Sequence, residues 1–239
     1  MNQLFRLGFV LLSNIASENL DAFVASFGPI RSNEYGSSNH HGVVHLDVAQ
    51  DVAGSTYDLP AHTDLTFWYG HRVAAFIHCL QHEASGGDTF VLDGYRVAND
   101  FRQNHPDDFR LLVETPVQFC RVQHSHKYFF RPTRTIIELD WNGKIEAVRF
   151  SHKNFYPNLP FDKLERFYEA YRNFTGYVNN PKYQYRFHFQ PGDCLLMQNF
   201  RVLHGRTAFD LSSGNRKIKV GYVEWDYFLA SYFYKQEFG

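Results

Sequence analysis

The sequence predicts a mainly β fold with helical decoration, of the barrel or sandwich kind. Three observations carry this. Many short runs rich in Val, Ile, Phe and Tyr are bounded by turn residues. The few amphipathic runs do not alternate strictly with them, which argues against a parallel βαβ sheet. Aromatic residues make up 18% of the chain, with 24 Phe and 15 Tyr, and such a composition favours strands. A length of 239 residues without a repeat, low-complexity tract or long linker suits a single domain over residues 1–239.

Taken in order, FVLL at 9–12 reads as a buried strand rather than a leader. The apolar stretch is short, carries Arg6, and no clear small-residue cleavage site follows. Residues 16–27 have apolar side chains at helical spacing, with Ser17 as a cap and Gly28 as a stop. Residues 94–104 and, after Pro106, 107–114 read as helices. The strongest helix is 162–178. Leu164, Phe167, Tyr168, Tyr171, Phe174 and Val178 form one face, and Asp162 with Glu165 resembles a capping box. Strands are expected at 73–80, 90–92, 135–140, 147–150, 183–189, 194–200 and 217–225. Asn142-Gly143 is a hairpin turn, and Pro191-Gly192-Asp193 turns the chain into the strand at 194.

Charge and cysteine content narrow the function. Lys plus Arg is 24 against 25 Asp plus Glu, so there is no basic field for nucleic acid and no polybasic membrane signal. No apolar run approaches the length of a membrane span. Three scattered cysteines (Cys79, Cys120, Cys194) make neither an even disulfide framework nor a CxxC. A reducing compartment follows: the cytoplasm, or the mitochondrion in a eukaryote. Any metal must rest on imidazole and carboxylate, and 13 His are available.

His62-Thr63-Asp64 is the first candidate site. In a strand, residues i and i+2 point to one face, so an imidazole and a carboxylate would converge. They would supply two of the three ligands of a facial iron site, which leaves positions open for substrate and oxygen. Spacing alone does not decide: chance gives about one such pair in a chain of this composition, and His45-Leu46-Asp47 is a second. Context favours the later pair. Thr89 closes a GGDT run at 86–89, His204 sits in NFRVLHGR at 199–206, and Arg216 heads a late strand. A dicarboxylate co-substrate needs one end on the metal and the other in a guanidinium clamp. Arg201 and Arg206 compete for that clamp, and strand context favours Arg216.

Together HTD, GGDT, NxRxxHGR and the late Arg resemble the taurine dioxygenase-like superfamily of iron(II)/2-oxoglutarate oxygenases. Within it the chain is similar to the γ-butyrobetaine dioxygenase and trimethyllysine dioxygenase branch. FGPIRSNEYG (27–36), HCLQHEASGGDTFVLDG (78–94), NFRVLHGR and YVEWD (222–226) carry the narrower likeness, which runs from about residue 9 to the C-terminus. The resemblance implies a double-stranded β-helix (jelly-roll, cupin-like barrel) with outer helices. It makes His62, Asp64 and His204 the iron ligands. Thr89 would hydrogen-bond 2-oxoglutarate near the metal, and Arg216 would pair with its distal carboxylate. Fe(2+), 2-oxoglutarate and O2 are then required, with ascorbate as a stimulant.

The branch holds a quaternary ammonium in an aromatic cage, and Tyr35 and Tyr222 match two of its positions. Other positions depart from the pattern. SSNHHG at 37–42 lacks an expected Trp, a cage Tyr falls near Gly54, and the Asn that holds the substrate carboxylate falls near Lys153 or Asn154. Tyr35 and Tyr222 have core packing as their plain alternative, and Lys153 a solvated surface role. Eukaryotic members of the branch carry a zinc-binding domain ahead of the catalytic one. Here no Cys/His cluster precedes Phe9, as in a minimal single-domain member or a shortened form.

The expected function is hydroxylation of a small trimethylammonium substrate, γ-butyrobetaine to carnitine, with trimethyllysine or another small carboxylate as the runner-up. The run Tyr222–Asp226 tips the choice to the first. A homodimer is compatible with this reading. The alternative of another class is a jelly-roll binding protein without turnover, against which the complete ligand set counts.

Overall fold

The computed structural model describes residues 2–31, 42–43, 55–70, 72–124 and 127–239. Its β structure is built on two antiparallel sheets. One has five strands, in the order Phe9–Leu12, Cys194–Gln198, Val73–His82, Arg216–Glu224 and Gly42–Val43. The other has four, in the order Tyr185–Phe187, Thr89–Asp93, Val202–Arg206 and Leu59–His62. Smaller two- and three-stranded ribbons decorate them. Among the described residues, strand pairing does not join the two sheets into a closed barrel.

Alternation along each strand creates three apolar layers. Val73, Ala75, Ile77 and Cys79 of the central long strand face inward, with Leu195, Met197 and Tyr222 from its neighbours. They meet Val91 and Val202 of the four-stranded sheet, so the two sheets share one core. The intervening residues Ala74, Phe76, Cys194, Leu196 and Val223 face the other way, against Leu4, Leu20, Val24, Trp225 and Phe228 of the terminal helices. On the far side, Phe90, Leu92 and Leu203 pack on the helices Gly94–Asn104, Pro106–Glu114 and Phe161–Val178. The long helix buries Phe167, Tyr171, Phe174 and Val178, the face expected from its periodicity. The Asn142-Gly143 turn joins Ile137–Leu139 to Ile145–Val148, with Gly143 at φ 74° and Asp140 accepting from Asn142 and Lys144 N–H at 2.8 Å.

Several local expectations are corrected. The last strand ends at Glu224, and Trp225 opens a helix, Trp225–Glu237. Its aromatic sequence looks strand-like, but Trp225 and Phe228 are helical because they stack on each other at 5.1 Å and anchor on the outer sheet face. Residues Asn2–Leu7 are also helical, anchored by buried Leu4. The 16–27 helix divides into a 3-10 turn, Ser17–Asn19, and a short helix, Leu20–Ala25, and Ser17 does not cap it. Helix Phe161–Val178 starts behind Pro160 with no side-chain cap, so the Asp162–Glu165 box is not formed. The 183–189 run contributes only Tyr185–Phe187 as strand, because Pro181–Tyr183 winds into a 3-10 turn.

The register that matters most sets His204 directly opposite His62 in neighbouring strands. Close packing holds it. A Cβ built on Gly205 would lie 2.4 Å from Phe90 Cζ and 2.5 Å from the Leu59 carbonyl oxygen. Gly205→Ala is therefore expected to destabilise the chain by about 1–3 kcal/mol, the usual cost of overpacking. Urea unfolding checks this, and a variant as stable as the parent would show that the strand pair tolerates spreading.

Candidate metal centre and its anion-binding end

His62 is the last residue of its strand, and Asp64 lies beyond it in a turn rather than in the strand expected. The period-2 rule therefore does not aim Asp64. Two locks do so instead. Thr63 N–H donates to the Phe150 carbonyl at 3.0 Å, and Phe150 N–H donates to Thr63 Oγ1 at 3.0 Å. Asn199 then takes both backbone groups of Asp64. Its Oδ1 accepts from Asp64 N–H at 2.8 Å, and its Nδ2 donates to the Asp64 carbonyl at 2.7 Å. Asn199 is fully buried, so these bonds form away from competing water.

The result is a compact triad. One donor atom from each of His62, Asp64 and His204 lies within 4.8 Å of the others. His62 Nε2 is 3.3 Å from Asp64 Oδ1, and His204 Nε2 is 3.6 Å from Asp64 Oδ2. The two imidazoles are tilted at 45° with centroids 4.4 Å apart. His62 Nδ1 faces the Pro60 carbonyl at 2.9 Å. A carbonyl only accepts, so Nδ1 carries a proton and Nε2 is the nitrogen turned to the carboxylate.

Electrostatics suit a cation at this point. Burial pushes the His204 imidazole down to about 4, against the pull of Asp64, so it is a neutral donor at physiological pH. Burial alone would raise the Asp64 carboxyl, but His204, His62 and the Tyr222 hydroxyl together hold it well below the usual carboxylate range. His62 is driven down by burial and up by Asp64 and the Pro60 carbonyl, with a net rise. An ionised carboxylate between two imidazoles, one of them neutral, is the donor chemistry of a facial divalent metal site. His204 Nδ1 is buried with no partner among the described residues, so its imidazole is not tied up elsewhere.

The other predicted residues fall around this centre in different ways. Tyr222 comes in from the facing sheet and donates its hydroxyl to Asp64 Oδ2 at 3.0 Å. Thr89 is buried and pairs in register with Arg206, two positions along the strand from the pairing of Val91 with His204. Lys153 is exposed, close enough that its charge opposes protonation of His62. Its backbone is held in a turn by Ser151 Oγ, which donates to the Lys153 carbonyl at 2.9 Å. Asn154, at φ 62°, offers its carbonyl to Cys120 N–H at 2.8 Å. Tyr35, Gly54 and the competing pair His45 and Asp47 lie outside the described residues.

The three arginines separate by their partners. Arg201 is committed to Asp93 Oδ2 at 2.8 Å and to the carbonyls of Phe5 and Arg6. Arg206 donates to the Tyr57 carbonyl at 2.6 Å and to that of Ser55. Burial and the neighbouring Arg216 charge push it down to about 10. Arg216 lies over Phe209, 5.4 Å from the ring centroid, and its buried Nε has no partner among the described residues. A buried guanidinium nitrogen left unmatched is costly, and an anion would relieve it. Glycine makes room at this spot: Gly87, at φ 73°, would carry a Cβ only 3.1 Å from Arg216 Nε.

Two features of the site had little or no signal in the sequence. Asn199 stood in the NFRVLHGR run, but nothing in its spacing tied it to Asp64. Trp68 follows Asp64 by four residues and packs beneath Arg31 at 3.8 Å and against Phe130 at 5.4 Å. An internal cation already occupies that indole.

The model of the taurine catabolism dioxygenase TauD, TfdA family matches residues 1–222, and the chain belongs to that family. It is 33% identical over 186 residues to a γ-butyrobetaine dioxygenase of Pseudomonas sp. (strain AK-1), which covers 76% of this chain and 47% of that protein. A mitochondrial trimethyllysine dioxygenase of Gallus gallus is 30% identical over 166 residues, covering 66% of this chain and 39% of the relative. The chain thus spans about half or less of the length of the curated relatives it matches. Among solved structures, a taurine dioxygenase from Burkholderia xenovorans has a TM-score of 0.66 at 15% identity, covering 93% of this chain and 78% of that one. The enzyme AAD-2, solved with Mn(II) and N-oxalylglycine, has a TM-score of 0.66 at 13% identity, covering 93% and 84%. These likenesses establish a shared fold. No helix among the described residues is long and apolar enough to cross a membrane.

Asn199→Ala should leave the three ligand side chains in place but free the Asp64 backbone. Metal affinity is expected to fall about 10–100-fold, as for the loss of other groups that orient ligands. Competition for Mn(II) against a chelator measures this, and an unchanged affinity would show that Thr63 alone suffices.

Proposed function

We propose that the chain is an iron(II)- and 2-oxoglutarate-dependent dioxygenase that hydroxylates a small trimethylammonium substrate, γ-butyrobetaine first. The observation that carries the reading is the convergence of His62, Asp64 and His204 on one point, in a chain of the TauD family. In this reading the two sheets are the halves of a double-stranded β-helix forming one catalytic domain. His62, Asp64 and His204 would hold Fe(2+). Bound there, iron(II) supplies the activation of O2 that couples oxidative decarboxylation of 2-oxoglutarate, to succinate and CO2, with hydroxylation of a C–H bond.

The protein's part is positional. Arg216 takes the distal carboxylate of 2-oxoglutarate, since its buried Nε is the unmatched donor while Arg201 and Arg206 are committed. Thr89 hydrogen-bonds the co-substrate on the metal side. Tyr222 orients Asp64 through its hydroxyl, and its ring forms a wall of the substrate site in this reading. Lys153, at the His62 rim, supports a substrate that carries a carboxylate, and Asn154 beside it is the second donor there. Tyr35 completes the ammonium side. Ascorbate would act as a stimulant.

Two relatives act as support for the substrate class: one is a γ-butyrobetaine dioxygenase and the other a trimethyllysine dioxygenase. The second substrate is the runner-up, separated by the position of hydroxylation in mass spectrometry. A binding protein without turnover is the reading of another class.

With Fe(2+), 2-oxoglutarate and ascorbate, γ-butyrobetaine should stimulate succinate formation, and Asp64→Ala should abolish both metal binding and turnover. No succinate with any trimethylammonium substrate would overturn the proposal. Ligand binding that survives Asp64→Ala unchanged would favour the binding protein. Lys153→Ala should raise the KM for a carboxylate-bearing substrate about tenfold, the value of one modest charge-assisted hydrogen bond, with little change in kcat.

A further inference from the structure

The long central strand does not end regularly. Its pairing with the last strand slips between Lys217 and Ile218, so Ile218 pairs with Cys79 but Arg216 pairs with His82. Cys79 faces inward. The extra residue, Leu80, reverses the parity beyond it and brings His82 to the face that Arg216 uses. Gly87 seals the arrangement. A Cβ there would lie 3.0 Å from His82 Nε2 and 3.1 Å from Arg216 Nε, so only a bare backbone allows both nitrogens to flank it.

The hydrogen bonding of His82 is unusual. Nδ1 lies 3.0 Å from the Phe189 carbonyl oxygen and Nε2 lies 3.0 Å from that of Gly86. A neutral imidazole has one N–H, so one of these contacts would set a lone pair against a lone pair. Only the imidazolium satisfies both. The charges around it oppose that form. Arg216 faces it from the last strand, and His188 stacks on it at 4.0 Å and 20°. His188 in turn places Nδ1 2.8 Å from Asp88 Oδ1, the carboxylate behind the stack. Cys79, on the other side of Arg216, is a thiol that burial pushes up to about 11, so it brings no charge.

We propose that His82 is a positioning residue for the co-substrate: it becomes protonated when a dicarboxylate occupies Arg216, and its charge then holds that carboxylate through the guanidinium. The idea rests on the assignment of Arg216 to 2-oxoglutarate made above. In the free chain, burial together with His188 and Arg216 keeps His82 below its ordinary value. An anion on Arg216 cancels part of that repulsion, so the ring gains a proton and both its N–H groups donate to the two carbonyls. The sign follows. The bound-state pKa exceeds the free-state pKa, so binding takes up a proton between them, and affinity rises as pH falls through that window.

The test is calorimetric titration of 2-oxoglutarate into the Mn(II)-loaded full chain, in two buffers of different ionisation enthalpy. The parent should take up a fraction of a proton more than His82→Gln at the same pH. Its affinity should improve up to about tenfold from pH 8 to pH 6, as for a pKa raised by about one unit. His82→Gln should show no such gain. If that variant does not fold, the His82 Cε1–H resonance of the parent, titrated with and without N-oxalylglycine, gives the same answer: its pKa must rise on binding. An unmoved resonance, or equal proton uptake in parent and variant, overturns the role of His82 while leaving the dioxygenase reading intact. Failure of 2-oxoglutarate to bind at all overturns both.

Discussion

The site depends on one backbone pairing, that of Leu59–His62 with Val202–Arg206. Two histidines 142 positions apart in sequence become cross-strand neighbours there, their rings 4.4 Å apart. A slip of one residue would turn His204 out of the core and Leu203 into it. The outer apolar layer prevents that, because Leu203 and Phe90 are already buried against the helices. The helical decoration is therefore not incidental to the metal centre. By fixing which residues face out, it fixes which face in.

A second layer of control acts on Asp64. Beyond the strand end, no ladder constrains its backbone. Buried Asn199, from the turn before the His204 strand, supplies a pair of hydrogen bonds that mimic ladder pairing. The same strand thus carries one proposed ligand and, just ahead of it, the group that aims another. At the opposite end of the sheets, a bulge and a glycine create the space in which Arg216 Nε has no partner among the described residues. Both ends use departures from regular β structure, where a site can hold groups that a regular sheet would satisfy internally.

Much of the fold was legible. Runs such as 73–80 and 194–198 are apolar on both faces, as strands between two packed layers must be, and both lie in the five-stranded sheet, although the strand expected to reach 200 turns at Asn199. The long helix announced its buried face by spacing alone. The errors came where local pattern and tertiary packing disagree. The sequence pattern ends the last strand at Trp225, yet Trp225 opens a helix because the sheet face beside it is covered by Trp225 and Phe228. The capping box failed because Pro160 already starts the helix.

What the sequence by itself determined is the donor chemistry: with thiols scattered and charge balanced, HTD, a late His and a late Arg leave imidazole, carboxylate and guanidinium as the working groups. It could rank Arg216 above its rivals only by position. Only the tertiary structure shows which of the three has a donor left over, because a guanidinium is available only if nothing nearby accepts from it. Arg201 and Arg206 find carboxylate and carbonyl partners, and among the described residues the Nε of Arg216 does not. Partner availability is a property of three-dimensional neighbours, and no spacing along the chain encodes it.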